Sequence, residues 1–204
     1  MAARISTRKR KTRETDITVT LNLDGAGVSR IDTGIGFFNH MLELFARHAL
    51  VDLDVVATGD TDVDYHHTVE DIGLVLGGCI DEALGARAGI RRYGFSALPM
   101  DETLSEVAVD LGGRPYLVFN SGMKQQKVRD FDVQLLEEFF RAVSVQARLN
   151  LHINHRYGED AHHVCESVFK GFARALRQAV ENDPRETGVP SSCLLYTSPS
   201  PRDS

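Results

Sequence analysis

The chain has 204 residues, 42% of them hydrophobic and 25% charged, with a formal net charge of −6. That balance is globular and excludes disordered, collagen-like and coiled-coil designs, and the acidic charge argues against nucleic acid or an anionic membrane as a partner. No stretch reaches the roughly 18 continuous apolar residues of a membrane span, and the N-terminus shows no apolar signal-peptide core.

Arg8-Lys9-Arg10-Lys11 reads as the start of a solvated strand rather than a nucleic-acid patch. Residues 16–24, DITVTLNLD, alternate strictly, with Ile17, Val19, Leu21 and Leu23 on one side, and predict a half-buried strand ending in an Asp24-Gly25 turn. Residues 34–49, GIGFFNHMLELFARHA, take helical spacing, with Phe37, Met41, Leu44, Phe45 and Ala49 on one face. A strand over 50–57 and an acidic loop over 58–64 follow. A second helix is predicted over 65–84, with Val69, Ile72, Leu76 and Ile80 buried, Asp64 as N-cap and Gly85 as stop.

The order then repeats. Strands at 106–111 and 115–120 flank Gly112-Gly113, a helix covers 133–149, a strand covers 150–155, and a loop at 156–160 leads to a helix over 161–181. Phe37-Phe38 corresponds to Phe139-Phe140, and His66-His67 to His162-His163. The chain therefore reads as α+β, a tandem duplication of a βαβα-type half-domain, with mixed or antiparallel sheets carrying helices on one face. Its halves are 1–93 and 94–192, with a boundary near Ala88 to Pro99. Residues 193–204, CLLYTSPSPRDS, have no periodicity, resemble translated sequencing-adapter sequence, and are expected to be a non-native, disordered tail.

The three cysteines, Cys79, Cys165 and Cys193, are odd in number and widely spaced. They suggest neither a disulfide framework nor a thiolate zinc site, and fit a reducing, cytoplasmic setting. The eight histidines are unevenly placed. His66-His67-Thr68-Val69-Glu70 and His162-His163-Val164-Cys165-Glu166 are one pattern, HHxxE, opening two predicted helices. Each glutamate can share a metal with a histidine three or four residues before it. Adjacent histidines diverge by about 100° and so suit two different ions. Imidazole plus carboxylate suits Mn, Fe or Zn. Two copies at equivalent places of a duplicated unit predict a dinuclear centre, with His40 and Glu138 as further ligand candidates. Three functions fit such a centre: a lyase, a hydrolase with a bridging hydroxide, and a non-enzymatic metal-binding assembly protein.

From about Arg8 to Ser192 the chain resembles the imidazoleglycerol-phosphate dehydratase family. The resemblance is carried by RKTRETDI, TGIGFFNHML, YHHTVED, RRYG, LGGRPY, LLEEFFRA, LHI, HHVCESVFKGFARAL and GVPSS. It implies a ribosomal protein S5 domain 2-like fold and a manganese-dependent hydro-lyase of histidine biosynthesis. The implied reaction converts D-erythro-imidazole glycerol phosphate to imidazole acetol phosphate through a dimetal-bound imidazolate and a diazafulvene-like intermediate. Two Mn²⁺ are implied per active site, one on His40, His67, Glu70 and His162, the other on His66, Glu138, His163 and Glu166. The resemblance also implies homo-oligomers, trimers packed into an octahedral 24-mer, with no nucleic-acid or membrane partner.

By the same resemblance Glu14, Glu70 and Glu166 are the catalytic carboxylates, with Glu14 as substrate-binding acid–base. Its parity with Asp16, Thr18 and Thr20 predicts a place on the polar face of a strand. Arg92, Arg114, Lys170, Ser191 and Ser192 match phosphate-site positions. Cys193 stands where the family has a phosphate-binding Lys, and Asn39 where an Asp often precedes the first ligand histidine; the expectation is that Asn39 orients His40 less firmly. His48 and His152 lie in matching segments without an assigned role.

Overall fold

The computed structural model describes residues 3–123 and 127–190. Two four-stranded mixed sheets, one from each half of the chain, share one topology. The first runs β1 (Ile5–Lys11), β2 (Thr15–Asn22), β4 (Asp52–Gly59), β3 (Ser29–Asp32) in spatial order; the second runs β5 (Tyr93–Met100), β6 (Thr103–Asp110), β10 (Asn150–Tyr157), β7 (Tyr116–Asn120). In each, the first three neighbours pair antiparallel and the last pair is parallel. A small hairpin, β8 (Lys127–Val128) with β9 (Phe131–Asp132), belongs to the second half alone. The helices are α1 (Gly36–Ala49), α2 (His66–Leu84), α3 (Leu135–Gln146) and α4 (Ala161–Val180). No helix among the described residues is long and apolar enough to cross a membrane.

The helices cover one face of each sheet, and they also pack across the halves, α1 on α4 and α2 on α3. The two Phe-Phe pairs meet at this seam. Phe38 lies edge-on to Phe139 with centroids 5.3 Å apart, Phe139 stacks on Phe169 at 5.4 Å, and Phe45 stacks on Phe172 at 5.4 Å. The halves thus share one hydrophobic core. The α2–α3 crossing is close enough to require glycine: a Cβ on Gly73 would stand 2.8 Å from the Phe139 carbonyl oxygen, and one on Gly77 would stand 2.7 Å from that of Val143.

The alternation in β2 and the buried stripe of α2 follow the sequence pattern, with Ile17, Val19, Leu21, Val69, Ile72, Leu76 and Ile80 all fully buried. Arg8 to Lys11 lie in the solvated edge strand β1. Four features differ. The α1 face is rotated: Phe38, Met41, Leu42, Phe45, Ala46 and Ala49 are buried, while Phe37 and Leu44 are half-buried. Strand β5, which overlaps the segment read as the boundary, was not expected. Its alternation is inverted, with Tyr93 and Phe95 exposed and Gly94 and Ser96 turned inward. Gly94 abuts α4 so closely that a Cβ would overlap the Ala175 carbonyl, so small residues form the buried face and no apolar period appears. Strand β3 was not expected either, because it is short and mostly exposed. Glu14 is not on a strand but in the exposed β1–β2 turn. Residues 193–204 lie outside the described residues.

Candidate metal and substrate site

An aspartate shortly before each histidine pair accepts backbone N–H groups of the first turn. Asp160 caps α4, its carboxylate accepting the N–H groups of His162 at 2.8 Å and His163 at 3.2 Å. At α2 the cap position is Tyr65, and Asp64, one residue earlier, accepts the N–H of His66 at 2.8 Å. These carboxylates satisfy donors that a helix start leaves free, and so fix the first turn on which the histidines sit.

From that turn, the first histidine of each pair meets the glutamate. His162 Nε2 is 2.9 Å from Glu166 Oε1, and His66 Nε2 is 3.7 Å from Glu70 Oε2. His40, from α1, reaches the same Glu166 oxygen at 3.0 Å. The ligand atoms of His40, His162 and Glu166 lie within 4.8 Å of one another, and among the described residues this is the one group of three such donors. Within one chain Glu166 thus lies beside His40 and His162, and Glu70 beside His66. On a helix, i and i+4 are offset by about 40° and i+1 and i+4 by about 60°, so the carboxylate aligns better with the first histidine.

Glu166 is 7% exposed. Burial pushes its carboxyl up, but the Lys170 ammonium, 2.5 Å away, and the His40 and His162 rings outweigh that and hold it at about 2. Lys170 Nζ also donates to Met100 Sδ at 3.5 Å. Phe37 closes one side, its ring edge-on to His162 at 5.3 Å.

The second histidine of each pair is held by a carboxylate that the sequence did not single out. Asp60 Oδ2 is 3.0 Å from His67 Nδ1, and Glu102 Oε2 is 2.8 Å from His163 Nδ1. Each bond raises the imidazole pKa, and His163 in turn holds Glu102 at about 2. Both bonds fix the ring at Nδ1 and leave Nε2 as the ligand atom, the arrangement of carboxylate–histidine–metal sites. The only sequence signal was an acidic loop, where Asp60, Asp62 and Asp64 are indistinguishable by pattern; Glu102 lies in the β5–β6 turn, which carried no signal.

His66 and Glu138 line one open pocket of about 480 Å³ with Asp64, Tyr65, Lys127 and Asp130. Glu138 is 3.8 Å from Arg141. Glu14 lies beside Asp60, its carbonyl accepting the Asp60 N–H at 3.1 Å.

The phosphate candidates are not brought together within one chain. Lys170 is at the Met100 end of β5, whereas Arg92 precedes Tyr93 at the other end. At ~3.3 Å per residue the ends of this strand are roughly 23 Å apart. Arg92 is buried and bound to Asp110 at 2.7 and 3.2 Å, and its third nitrogen donates to the Pro190 carbonyl at 2.7 Å. The exposed Arg114 lies at this same end, where its carbonyl accepts from Asn150. Ser191 and Ser192, which follow Pro190, lie outside the described residues, as does Cys193. Asn39 does not touch His40; its Oδ1 accepts from the Thr33 N–H at 3.0 Å and hydroxyl at 2.5 Å, bracing the turn before α1. His48 is half-buried, and burial, with Lys170 and Arg174 nearby, pushes its pKa down. His152 is exposed on the outer face of the second sheet.

Comparison with known proteins bears directly on this arrangement. The family model described as imidazoleglycerol-phosphate dehydratase matches residues 33–176. The enzyme of that name from Nitrobacter hamburgensis is 55% identical over 190 residues, which is 93% of this chain and 96% of the relative. That from Acetivibrio thermocellus is 55% identical over 183 residues, covering 90% and 94%. The crystal structure of the Staphylococcus aureus enzyme superposes with a TM-score of 0.80 at 42% identity, covering 88% of this chain and 99% of that one. The Pyrococcus furiosus enzyme in complex with (S)-C348 gives 0.79 at 36%, covering 91% and 98%.

Proposed function

From the premise that the chain belongs to the imidazoleglycerol-phosphate dehydratase family, and is therefore a hydro-lyase of histidine biosynthesis, we propose that it dehydrates D-erythro-imidazole glycerol phosphate to imidazole acetol phosphate with two Mn²⁺ per active site. Family membership sets aside the hydrolase and storage readings. The observation that carries the metal assignment is the convergence of His40, His162 and Glu166, donors from both halves of the chain, on one point. Two imidazoles and a carboxylate suit a borderline-to-hard divalent ion.

In this reading His40, His67, Glu70 and His162 hold one ion and His66, Glu138, His163 and Glu166 the other, with Glu166 lying beside His40 and His162. Bound there, the ions supply Lewis acidity and a template for the substrate imidazole. The chain's own residues do the rest. Glu14 moves the C–H proton of the second carbon from the ring and the proton on the hydroxyl that departs from the ring-attached carbon. Loss of that C–H proton and of hydroxide from the ring-attached carbon leaves an enol, which tautomerises to the ketone at the second carbon. Lys170 holds Glu166 ionised at Oε2. Arg92, Arg114 and Lys170 receive the phosphate by charge-assisted hydrogen bonds, and Ser191 and Ser192 complete the phosphate-site set. Because Arg92 and Lys170 occupy opposite ends of β5, a complete site draws on neighbouring copies, which supports the homo-oligomer, trimers closing into an octahedral 24-mer. The thiols of Cys79 and Cys165 are free and buried, and fit a reducing cytoplasm.

The test is ketone formation from imidazoleglycerol phosphate by the purified protein ending in Lys-Gly after Ser192, with Mn²⁺ and after chelation. Turnover with Mn²⁺ and none with chelator is expected. Full turnover in chelator overturns the metal assignment, and no turnover in either overturns the activity.

A narrower result concerns Asp60. Asp60→Ala frees the His67 ring, and metal affinity measured by titration is expected to fall about 10- to 100-fold. Unchanged affinity would show that Asp60 does not orient a ligand.

A further inference from the structure

Asp71 follows Glu70 in α2, is 6% exposed, and none of its roles is explained by metal or phosphate binding. Its Oδ1 accepts from Arg10 Nε at 2.8 Å, and its Oδ2 accepts from the Thr15 hydroxyl at 2.5 Å. Thr15 Oγ1 is 3.2 Å from Thr12 Oγ1, which itself accepts the N–H groups of Glu14 at 3.1 Å and Thr15 at 3.0 Å. This fixes the direction of the chain. Thr12 Oγ1 has filled its acceptor sites, so its proton goes to Thr15, and the Thr15 proton goes to Asp71. A hydroxyl chain ending on a carboxylate is polarised along its length, each bond strengthening the next.

The other side of the turn is tied as well. The Glu14 carbonyl accepts from the Asp60 N–H at 3.1 Å, and the Asp60 carboxylate holds His67. Glu14, Asp60, His67, the first turns of α2, Asp71, Thr15 and Thr12 therefore form a closed ring. Glu14 itself is exposed, and the ring holds its backbone N–H and carbonyl.

We propose that Asp71 is a positioning residue for Glu14, acting through the Thr15–Thr12 hydroxyl chain to hold the backbone that carries the acid–base carboxylate at a set place beside Asp60 and His67. This rests on the acid–base role of Glu14 given above. A displacement of about 1 Å at a reacting group can cost on the order of a hundredfold in rate.

The experiment compares Thr15→Val, Thr15→Ser and Asp71→Asn in the parent and in Glu14→Gln, with kcat, KM, bound metal and amide exchange at Glu14 measured for each. Thr15→Val keeps the side-chain shape and removes the link. It is expected to lower kcat roughly tenfold to a hundredfold, more than it raises KM, to leave metal content unchanged and to speed exchange of the Glu14 amide. Thr15→Ser restores the hydroxyl and should recover most of the loss. Asp71→Asn should act like Thr15→Val, and serves if the valine variant folds poorly. In Glu14→Gln, neither change should lower the residual kcat further. If Thr15→Val costs as much in Glu14→Gln as in the parent, the residues do not act through Glu14 and the proposal is overturned. If Glu14→Gln alone turns over like the parent, the acid–base assignment itself falls, a result distinct from the first.

Discussion

Replacing Glu166 by Gln is expected to lower kcat/KM by about three orders of magnitude, roughly 4 kcal/mol of transition-state stabilisation, and to reduce bound metal. Glu166 is the one carboxylate of the convergent trio, and both imidazoles aim at its Oε1. Gln offers a neutral oxygen there, a weaker ligand for a hard divalent ion. The change also leaves the Lys170 ammonium, 16% exposed, without its anion. Removing one partner of a buried pair costs about 3–5 kcal/mol of stability, so a lower melting temperature should accompany the loss of turnover. The paired variant Glu166→Gln with Lys170→Met separates these effects. It is expected to recover much of the melting temperature and neither metal nor activity. Recovery of metal in the pair would show that Glu166 serves the fold rather than the ion.

Phe139→Ala should have the largest effect on stability. Phe139 is 1% exposed and touches Phe38 from the first half and Phe140 and Phe169 from the second, all with ring centroids within 5.4 Å. Its backbone is also where α2 approaches α3 at Gly73. The crossing is braced by glycine contacts and cannot easily collapse into the cavity. Truncation is therefore expected to cost about 3–5 kcal/mol, against the 5–15 kcal/mol typical of a whole domain. Thermal unfolding followed by circular dichroism should move down by roughly 10 °C. Val145→Ala, on the exposed side of α3, should stay within about 0.5 kcal/mol. A loss below about 1 kcal/mol for Phe139→Ala would mean that the two halves do not depend on this seam.

The duplicated architecture was legible because its signals are periodic. The stripe Val69, Ile72, Leu76, Ile80 and the alternation Ile17, Val19, Leu21 need no knowledge of the partner surface. The paired HHxxE motifs were legible for a different reason, repetition at equivalent places. Strand β5 was hidden because packing against α4 demands Gly94 and Ser96 inward, the reverse of the usual pattern. Which histidine of each pair meets the glutamate was not legible either. Glu166 is within helical reach of both His162 and His163, and the choice depends on the angle of one turn and on where α1 brings His40. Glu14 was placed on a strand because parity continues across a turn in sequence, whereas the Thr12–Thr15 bond ends the strand in space. The separation of Arg92 from Lys170 follows from the length of β5 and could not be read from motifs.

The shared core bears on how such a chain can arise. Each half presents a helical layer with two buried faces, one against its own sheet and one against the other half. A half-length ancestor would have carried Phe38 and Phe45, or Phe139 and Phe140, on an uncovered surface. It could have persisted only by self-association, with a second copy supplying the missing layer. With both layers in one chain, His40 from the first half and His162 and Glu166 from the second meet within a single polypeptide.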